Sequence, residues 1–239
     1  MENAGTELQE KTSEVRTERK PQPPVVVRHQ FEPVDAADPG YAKALADYCC
    51  HQILIKDRQI LQVYEELVNL AYWLRGFAPH NVLEIGTVGS TFFMLSRLAT
   101  GKKLAVDIRD VRPKLHNFMF GQEWCFFQGN SQTLEMRDAV KSYCASFDLI
   151  FIDGDHRYEG VKRDFELYSE LLSERGVILF HDVDPDHVFK GTAGGEVWRF
   201  WQELDEGTKT ILCTSRSSGK VQCLGVPSHF GGIGIWTPR

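Results

Sequence analysis

Between residues 81 and 180 the chain alternates short apolar runs with longer stretches of helical periodicity, and this alternation restricts the fold more than any other feature. The runs are Asn81-Val82-Leu83-Glu84-Ile85, Lys103-Leu104-Ala105-Val106-Asp107, Trp124-Cys125-Phe126-Phe127, Phe147-Asp148-Leu149-Ile150-Phe151-Ile152 and Val177-Ile178-Leu179-Phe180. Helices fit at 89–99, 131–143, 158–173 and 194–205; in the third, Tyr158, Val161, Phe165, Tyr168 and Leu172 step by three and four. Nearly continuous apolar strands that each feed a helix predict a parallel sheet covered on both faces. Residues 210–213, 221–224 and 234–236 read as late strands without intervening helices, closing one edge of that sheet, some of them antiparallel. The expected class is α/β, a mostly parallel sheet with an antiparallel edge and helices on both faces.

Upstream, Ile60, Tyr64, Leu67, Val68, Ala71 and Leu74 recur at helical spacing, predicting a helix over 53–74 that Arg75-Gly76 closes before Pro79. A shorter helix fits 41–50. Residues 1–24 hold no aromatic residue and end in Pro21-Gln22-Pro23-Pro24, the composition of a disordered tail. The expected division is a tail at 1–24, an extended and helical segment at 25–78, and the ligand-binding domain at 79–239.

At 239 residues the chain buries a core without disulfides or a structural metal. No apolar run approaches the roughly 20 residues that span a bilayer, and the polar N-terminus lacks the apolar stretch of a signal peptide. A net charge of −6 argues against broad contact with nucleic acid or anionic lipid. The six cysteines form no Cys-x-x-Cys pair and read as reduced, mostly buried thiols. Together these features predict a cytoplasmic protein with neither a nucleic-acid nor a membrane partner; the sequence is compatible with a homo-oligomer. Gly-x-Ser-x-Gly, a Gly-Lys-Ser/Thr phosphate loop and His-Glu-x-x-His are absent, which drops serine hydrolases, P-loop NTPases and zincins.

Ligands of open α/β sheets bind beyond the carboxyl ends of the strands, so the residues there carry the chemistry. The first strand ends in Glu84-Ile85-Gly86-Thr87-Val88-Gly89-Ser90, a turn with two glycines that brings backbone close to a ligand or simply closes a strand–helix unit. The second ends at Asp107, an acid suited to both hydroxyls of a ribose. Gly129-Asn130-Ser131 follows the third, where Asn130 or Ser131 caps the next helix and can also meet an adenine edge. The fourth ends in Asp153-Gly154-Asp155-His156 and the fifth in His181-Asp182. If these strands are neighbours, Asp153, Asp155, His181 and Asp182 converge, either as ligands of a hard divalent cation or as loop acids capping helices. His156, with an ordinary pKa near neutrality, is the best candidate general base. Trp198, Phe200 and Trp201 read as core rather than as a substrate platform.

These residues together resemble the class I S-adenosylmethionine-dependent methyltransferases, specifically the family 24 type, which is related to macrocin- and mycinamicin-type sugar O-methyltransferases, cephalosporin hydroxylase-like proteins and, further off, catechol and caffeoyl-CoA O-methyltransferases. The resemblance runs over about 52–236 and is strongest in FDLIFIDGDHRYEGVKRDFELYSELLSERGVILFHDV, with VLEIGT…S as a second match. It implies a Rossmann-like class I methyltransferase fold. It also implies a cofactor site of Glu84, Gly86, Gly89, Ser90, Asp107, Asn130, Ser131 and Asp153 for S-adenosylmethionine. Asp153, His181 and Asp182 would hold magnesium or another divalent cation, and His156 and Asp153 would serve catalysis. His181 stands where the cation-dependent relatives carry an acid, and His156 where the catechol type carries a lysine.

The expected function is methyl transfer from S-adenosylmethionine to a hydroxyl of a small molecule such as a sugar, natural product or phenol. The alternatives are a nicotinamide-dependent dehydrogenase, whose third fingerprint glycine is missing, and a non-catalytic nucleoside-binding module. The N-terminal segment and residues 184–195, the latter rich in glycine, are the expected lid and acceptor walls.

Overall fold

The structure, a computed structural model, describes residues 38–49, 64–87, 89–119, 121–185, 195–205, 207–213, 222–223, 226–227 and 231–239. The strands are β1 (Val82–Ile85), β2 (Lys103–Asp107), β3 (Cys125–Gln128), β4 (Phe147–Ile152), β5 (Leu172–His181), β6 (Thr208–Cys213), β7 (Gln222–Cys223), β8 (Val226–Pro227) and β9 (Ile233–Thr237). The helices are α1 (Tyr41–Tyr48), α2 (Tyr64–Phe77), α3 (Ser90–Leu98), α4 (Arg112–Phe118), α5 (Leu134–Tyr143), α6 (Tyr158–Tyr168) and α7 (Val197–Glu203). Seven strands form one sheet in the order β3-β2-β1-β4-β5-β9-β6. The first five are parallel, and β9 inserts antiparallel between β5 and β6. This is the expected α/β architecture, with the direction of strand addition reversing between β1 and β4.

Every residue of β1 and β4 is buried, as apolar strands under two helical layers must be. Alternate residues feed two cores. Val82, Ala105, Leu149, Phe151, Val177 and Leu179 pack with Leu67, Leu70 and Leu74 of α2 and with Phe92 and Phe93 of α3. Leu83, Ile85, Val106, Ile150, Ile178 and Phe180 pack with Val161 and Tyr168 of α6 and with Phe200 and Trp201 of α7. Phe200 and Trp201 are core, as expected. The N-terminal helices therefore share a core with the sheet, and each fully buried leucine of α2 contributes about 1.5–3 kcal/mol.

Several boundaries differ from expectation. The helix expected over 158–173 ends at Tyr168 and continues as a single 3-10 turn at Ser169–Leu171, because Leu172 already pairs with Phe147 in the β4–β5 ladder. Ladder pairing overrides the helical periodicity of Leu172. Helix α2 runs past Gly76 to Phe77; the left-handed closing residue is Ala78 (φ 50°), whose N–H donates to Leu74 O at 2.8 Å before Pro79 forbids another turn. Helix α4, with its early proline, was not expected. The strand at 221–224 does not edge the main sheet: Gln222–Cys223 pairs with Val226–Pro227 in a separate two-stranded sheet. The tail at 1–24, the segment to residue 37, the first part of the helix from 53 and most of the expected lid lie outside the described residues.

Candidate functional site

Backbone hydrogen bonds join the ends of four parallel strands into one edge. Gly86 N–H donates to Val106 O (2.8 Å), Asp153 N–H to Ile85 O (2.9 Å) and Gly129 N–H to Asp107 O (2.9 Å). The loops leaving β1 and β4 touch there. A Cβ on Gly86, which has φ 79°, would sit 2.3 Å from both Asp153 O and Gly154 Cα, so only glycine fits. Gly89 (φ 112°) precedes the first turn of α3. Ser90 is buried, and its carbonyl accepts the Cys49 thiol at 3.5 Å, so what α3 offers a ligand is its backbone N–H groups.

Three acids line this edge. Glu84 is fully buried; burial, then the charges of Asp153 and Asp107, push its carboxyl well above the usual range. Its Oε2 and the Thr87 hydroxyl are buried with no hydrogen-bond partner among the described residues. Asp107 is also buried, and its Oδ1 accepts from Arg109 N–H (2.7 Å) and Nε (3.2 Å), its Oδ2 from Nη2 (3.2 Å). The Arg109 side chain is 61% exposed, so it can yield to another donor with little loss.

After β3, neither Asn130 nor Ser131 caps α5. Thr133 does, accepting Met136 N–H at 3.2 Å. Asn130 Oδ1 instead accepts Gln132 N–H (3.0 Å), and the Ser131 carbonyl accepts the Tyr168 hydroxyl (2.9 Å), which pins this loop against α6.

Strands β4 and β5 are neighbours, and they bring ligand atoms of Asp153, His181 and Asp182 within 4.8 Å of one another. Nδ1 of His181 lies 3.3 Å from Asp153 Oδ1 and 3.1 Å from Asp182 Oδ1. Asp182 holds φ 63°, a strained conformation that asparagine and aspartate tolerate better than most residues. Asp155 does not join them, contrary to expectation. It pairs with Arg157, whose backbone N–H it also accepts at 3.1 Å, and accepts Gln132 Nε2 at 3.0 Å; Arg157 holds its carboxyl down at about 2.

His156 sits inside the cluster, Nδ1 2.8 Å from Asp182 Oδ2 and Nε2 3.3 Å from Asp153 Oδ1. Burial works against its charge, but hydrogen bonds to Asp153 and then Asp182 outweigh it and raise its pKa to about 10. With the carboxylates in place His156 is an imidazolium at neutral pH, so the ionisation expected near neutrality is displaced upward. His181 is likewise pushed up: burial opposes its charge, and Asp153, Asp182 and Glu66 outweigh burial.

Sequence reasoning missed three residues. Glu66 of α2 is buried and reaches His181 Nε2 with Oε2 at 3.1 Å. Its signal was an acid on the face that Leu70 and Leu74 bury. Ile108, directly after Asp107, is 68% exposed at the carboxyl edge, an apolar surface with nothing described over it. Asp164 is fully buried on α6 near Gly154, and burial raises its carboxyl to about 7.

The edge has the layout of a nucleoside site at the reversal point of an α/β sheet, with an acidic cluster beside it. Residues 83–183 match the family described as a methyltransferase domain. In fold the chain is similar to an O-methyltransferase from Bacillus cereus in complex with S-adenosylhomocysteine (TM-score 0.57, 16% identity, 82% of this chain and 91% of that one). It is also similar to an S-adenosylhomocysteine-bound methyltransferase from Podospora anserina (TM-score 0.54, 14% identity, 87% and 99%). An uncharacterised protein of Sinorhizobium fredii is 44% identical over 61 residues, which are 25% of this chain and 6% of that protein. One from Acanthamoeba polyphaga mimivirus is 49% identical over 35 residues, 15% of this chain and 16% of that protein. The chain thus spans only a small part of these curated relatives. Among the described residues no helix is long and apolar enough to cross a membrane.

Proposed function

We propose that the domain transfers a methyl group from S-adenosylmethionine to a hydroxyl oxygen of a small molecule, with a divalent cation at Asp153, His181 and Asp182. The observation that carries this reading is the acidic character of the carboxyl edge. Glu84, Asp107 and Asp153 sit close enough there for the charges of the two aspartates to push the Glu84 carboxyl up. A cationic ligand satisfies such a wall. The pyrophosphate of a nicotinamide dinucleotide would be repelled by it, which weighs against the dehydrogenase.

When bound, S-adenosylmethionine supplies a methyl group on a positively charged sulfur, with S-adenosylhomocysteine left behind. Asp107 exchanges Arg109 for the two ribose hydroxyls, and Ile108 offers its apolar face to the flat base. The Gly86 turn and the first N–H groups of α3 line the amino-acid end, with Glu84 holding its ammonium. Asn130 and Ser131 place backbone and polar side chains near the base. A divalent cation, when bound, supplies a Lewis acid that lowers the pKa of an acceptor hydroxyl. Asp153 and Asp182 fit it as oxygen donors and His181 as an imidazole donor, a set that favours manganese or a later metal over magnesium. A cation on Asp153 and Asp182 also weakens their hold on the His156 proton, freeing that ring to accept one from the acceptor. Cys49, Cys125 and Cys144 are free thiols, in keeping with a cytoplasmic setting.

The test is calorimetric titration with S-adenosylhomocysteine, followed by a screen of sugars, glycosides and phenols with tritiated methyl donor. Binding together with label transfer to an oxygen supports the reading. Absence of S-adenosylhomocysteine binding refutes it.

A further inference from the structure

Glu66 enters the site from outside the matched stretch, and both of its oxygens are committed. Oε1 accepts the backbone N–H of Gly232 at 2.8 Å, and Oε2 lies 3.1 Å from His181 Nε2. It is 1% exposed and its helix is anchored by fully buried Leu67 and Leu70, so it has no freedom to turn away. Carboxylates stand on both sides of the His181 ring. Glu66 can only accept, so Nε2 must carry a proton. Nδ1 then faces Asp153 and Asp182.

We propose that Glu66 is a positioning residue that keeps the proton of His181 on Nε2 and so reserves Nδ1 as a metal ligand. The inference rests on the cation reading above. A carboxylate behind a ligating histidine fixes the tautomer, aims the ring and raises its basicity. The same residue ties three elements together: α2, the end of β5, and the Gly232 turn that begins β9. Helix α2 thereby becomes part of the site, although the family match begins after it.

Glu66→Gln separates tautomer from shape. The amide keeps the volume of the acid. Its oxygen must take the Gly232 N–H, because the reverse orientation sets two N–H groups against each other. The amide NH2 then points at His181 Nε2, which can only accept. The ring then has to keep its proton on Nδ1, facing Asp153 and Asp182, and this blocks ligation.

Three measurements on the full chain decide the matter: manganese affinity by calorimetry, S-adenosylhomocysteine affinity as a control for the fold, and the His181 ring nitrogens by 15N correlation spectra of the metal-free protein. The expected result is a wild-type ring protonated on Nε2 and a variant ring bare there. Manganese affinity should fall about ten- to hundredfold with S-adenosylhomocysteine affinity unchanged. A wild-type chain that binds S-adenosylhomocysteine but not manganese overturns the cation reading and this inference with it. Manganese binding that is equal in wild type and variant overturns the role of Glu66 alone. So does a variant that loses manganese while Nε2 keeps its proton, since the lost charge rather than the tautomer would then be responsible. A wild-type Nε2 without a proton overturns it with no variant needed.

Discussion

Asp164 offers a measurement whose size follows from burial alone. The residue lies on α6, in the second half of the helix that leaves the Asp153-Gly154 loop, and is fully buried. Neither carboxylate oxygen has a hydrogen-bond partner among the described residues. Burial raises its pKa from 3.8 to about 7, the nearby Ser131 hydroxyl opposing and the charge of Asp155 adding to the rise. A rise of about three units corresponds to about 4 kcal/mol between the two protonation states. Because the folded value lies above the unfolded one, the native state binds the proton more tightly. Ionisation therefore costs stability: nothing is lost below pH about 3.8, the loss grows as pH rises, and it is complete above about 7.

Asp164→Asn keeps the shape and removes the ionisation. The variant should be more stable than wild type, and the gap should widen by about 2 kcal/mol between about pH 5.5 and about pH 8.5. Urea denaturation of both proteins at the two pH values measures it, since every other titrating group is common to both and drops out of the difference. A gap that stays constant across this range would refute the reasoning. It would mean that the carboxylate is ionised throughout and held by a donor, such as a buried water bonded to Ser131.

Asp107→Ala should weaken S-adenosylhomocysteine binding by about 1.5–3 kcal/mol, the scale of lost hydrogen bonds to a charged group, read by calorimetry against wild type. Gly86→Ala places a methyl 2.3 Å from the β4 loop at φ 79° and should cost about 3 kcal/mol or more of stability in urea; a loss under about 1 kcal/mol would show that the two loops are not in fixed contact. Ile108→Ala should reduce S-adenosylhomocysteine affinity by about 1–2 kcal/mol while leaving the unfolding midpoint unchanged, because the side chain is 68% exposed before binding; an unaltered affinity would remove it from the base-binding surface.

The parallel half of the sheet was legible because its strands are buried on both faces, which writes them into the sequence as unbroken apolar runs. Once β4 and β5 were neighbours, Asp153, His181 and Asp182 had to meet, and they do. What stayed hidden depends on tertiary partners. Asp155 looks like its neighbours in sequence, yet the chain turns after Gly154 and delivers it to Arg157 and Gln132. Leu172 keeps helical spacing but finds a ladder partner in Phe147. The N-cap of α5 fell to Thr133 because Asn130 spends its side chain on Gln132 N–H, two residues on, in a local turn. Glu66 could be recognised only as an acid on an apolar helix face; nothing local names a histidine 115 residues away.

The electrostatics of the cluster also explain how the site stays folded without a cation. Three carboxylates, Glu66, Asp153 and Asp182, surround two histidines that are both driven toward their charged forms. Desolvation of the mostly buried Asp153 side chain alone would raise its pKa, but the charge of His181 and the hydrogen bond from His156 hold it below the usual carboxylate range. The imidazolium ions offset the repulsion that crowded carboxylates would otherwise suffer. A divalent cation at the proposed site would have to displace protons rather than fill a bare negative hole, so its binding would be coupled to proton release from His181 and, through Asp153 and Asp182, from His156. This gives the histidine at the position where cation-dependent relatives carry an acid a physical meaning. An acid there would bind a cation more tightly but would leave the metal-free site with uncompensated negative charge. On the proposed cation reading, His181 backed by Glu66 would trade tighter binding for a site neutralised by its own protons.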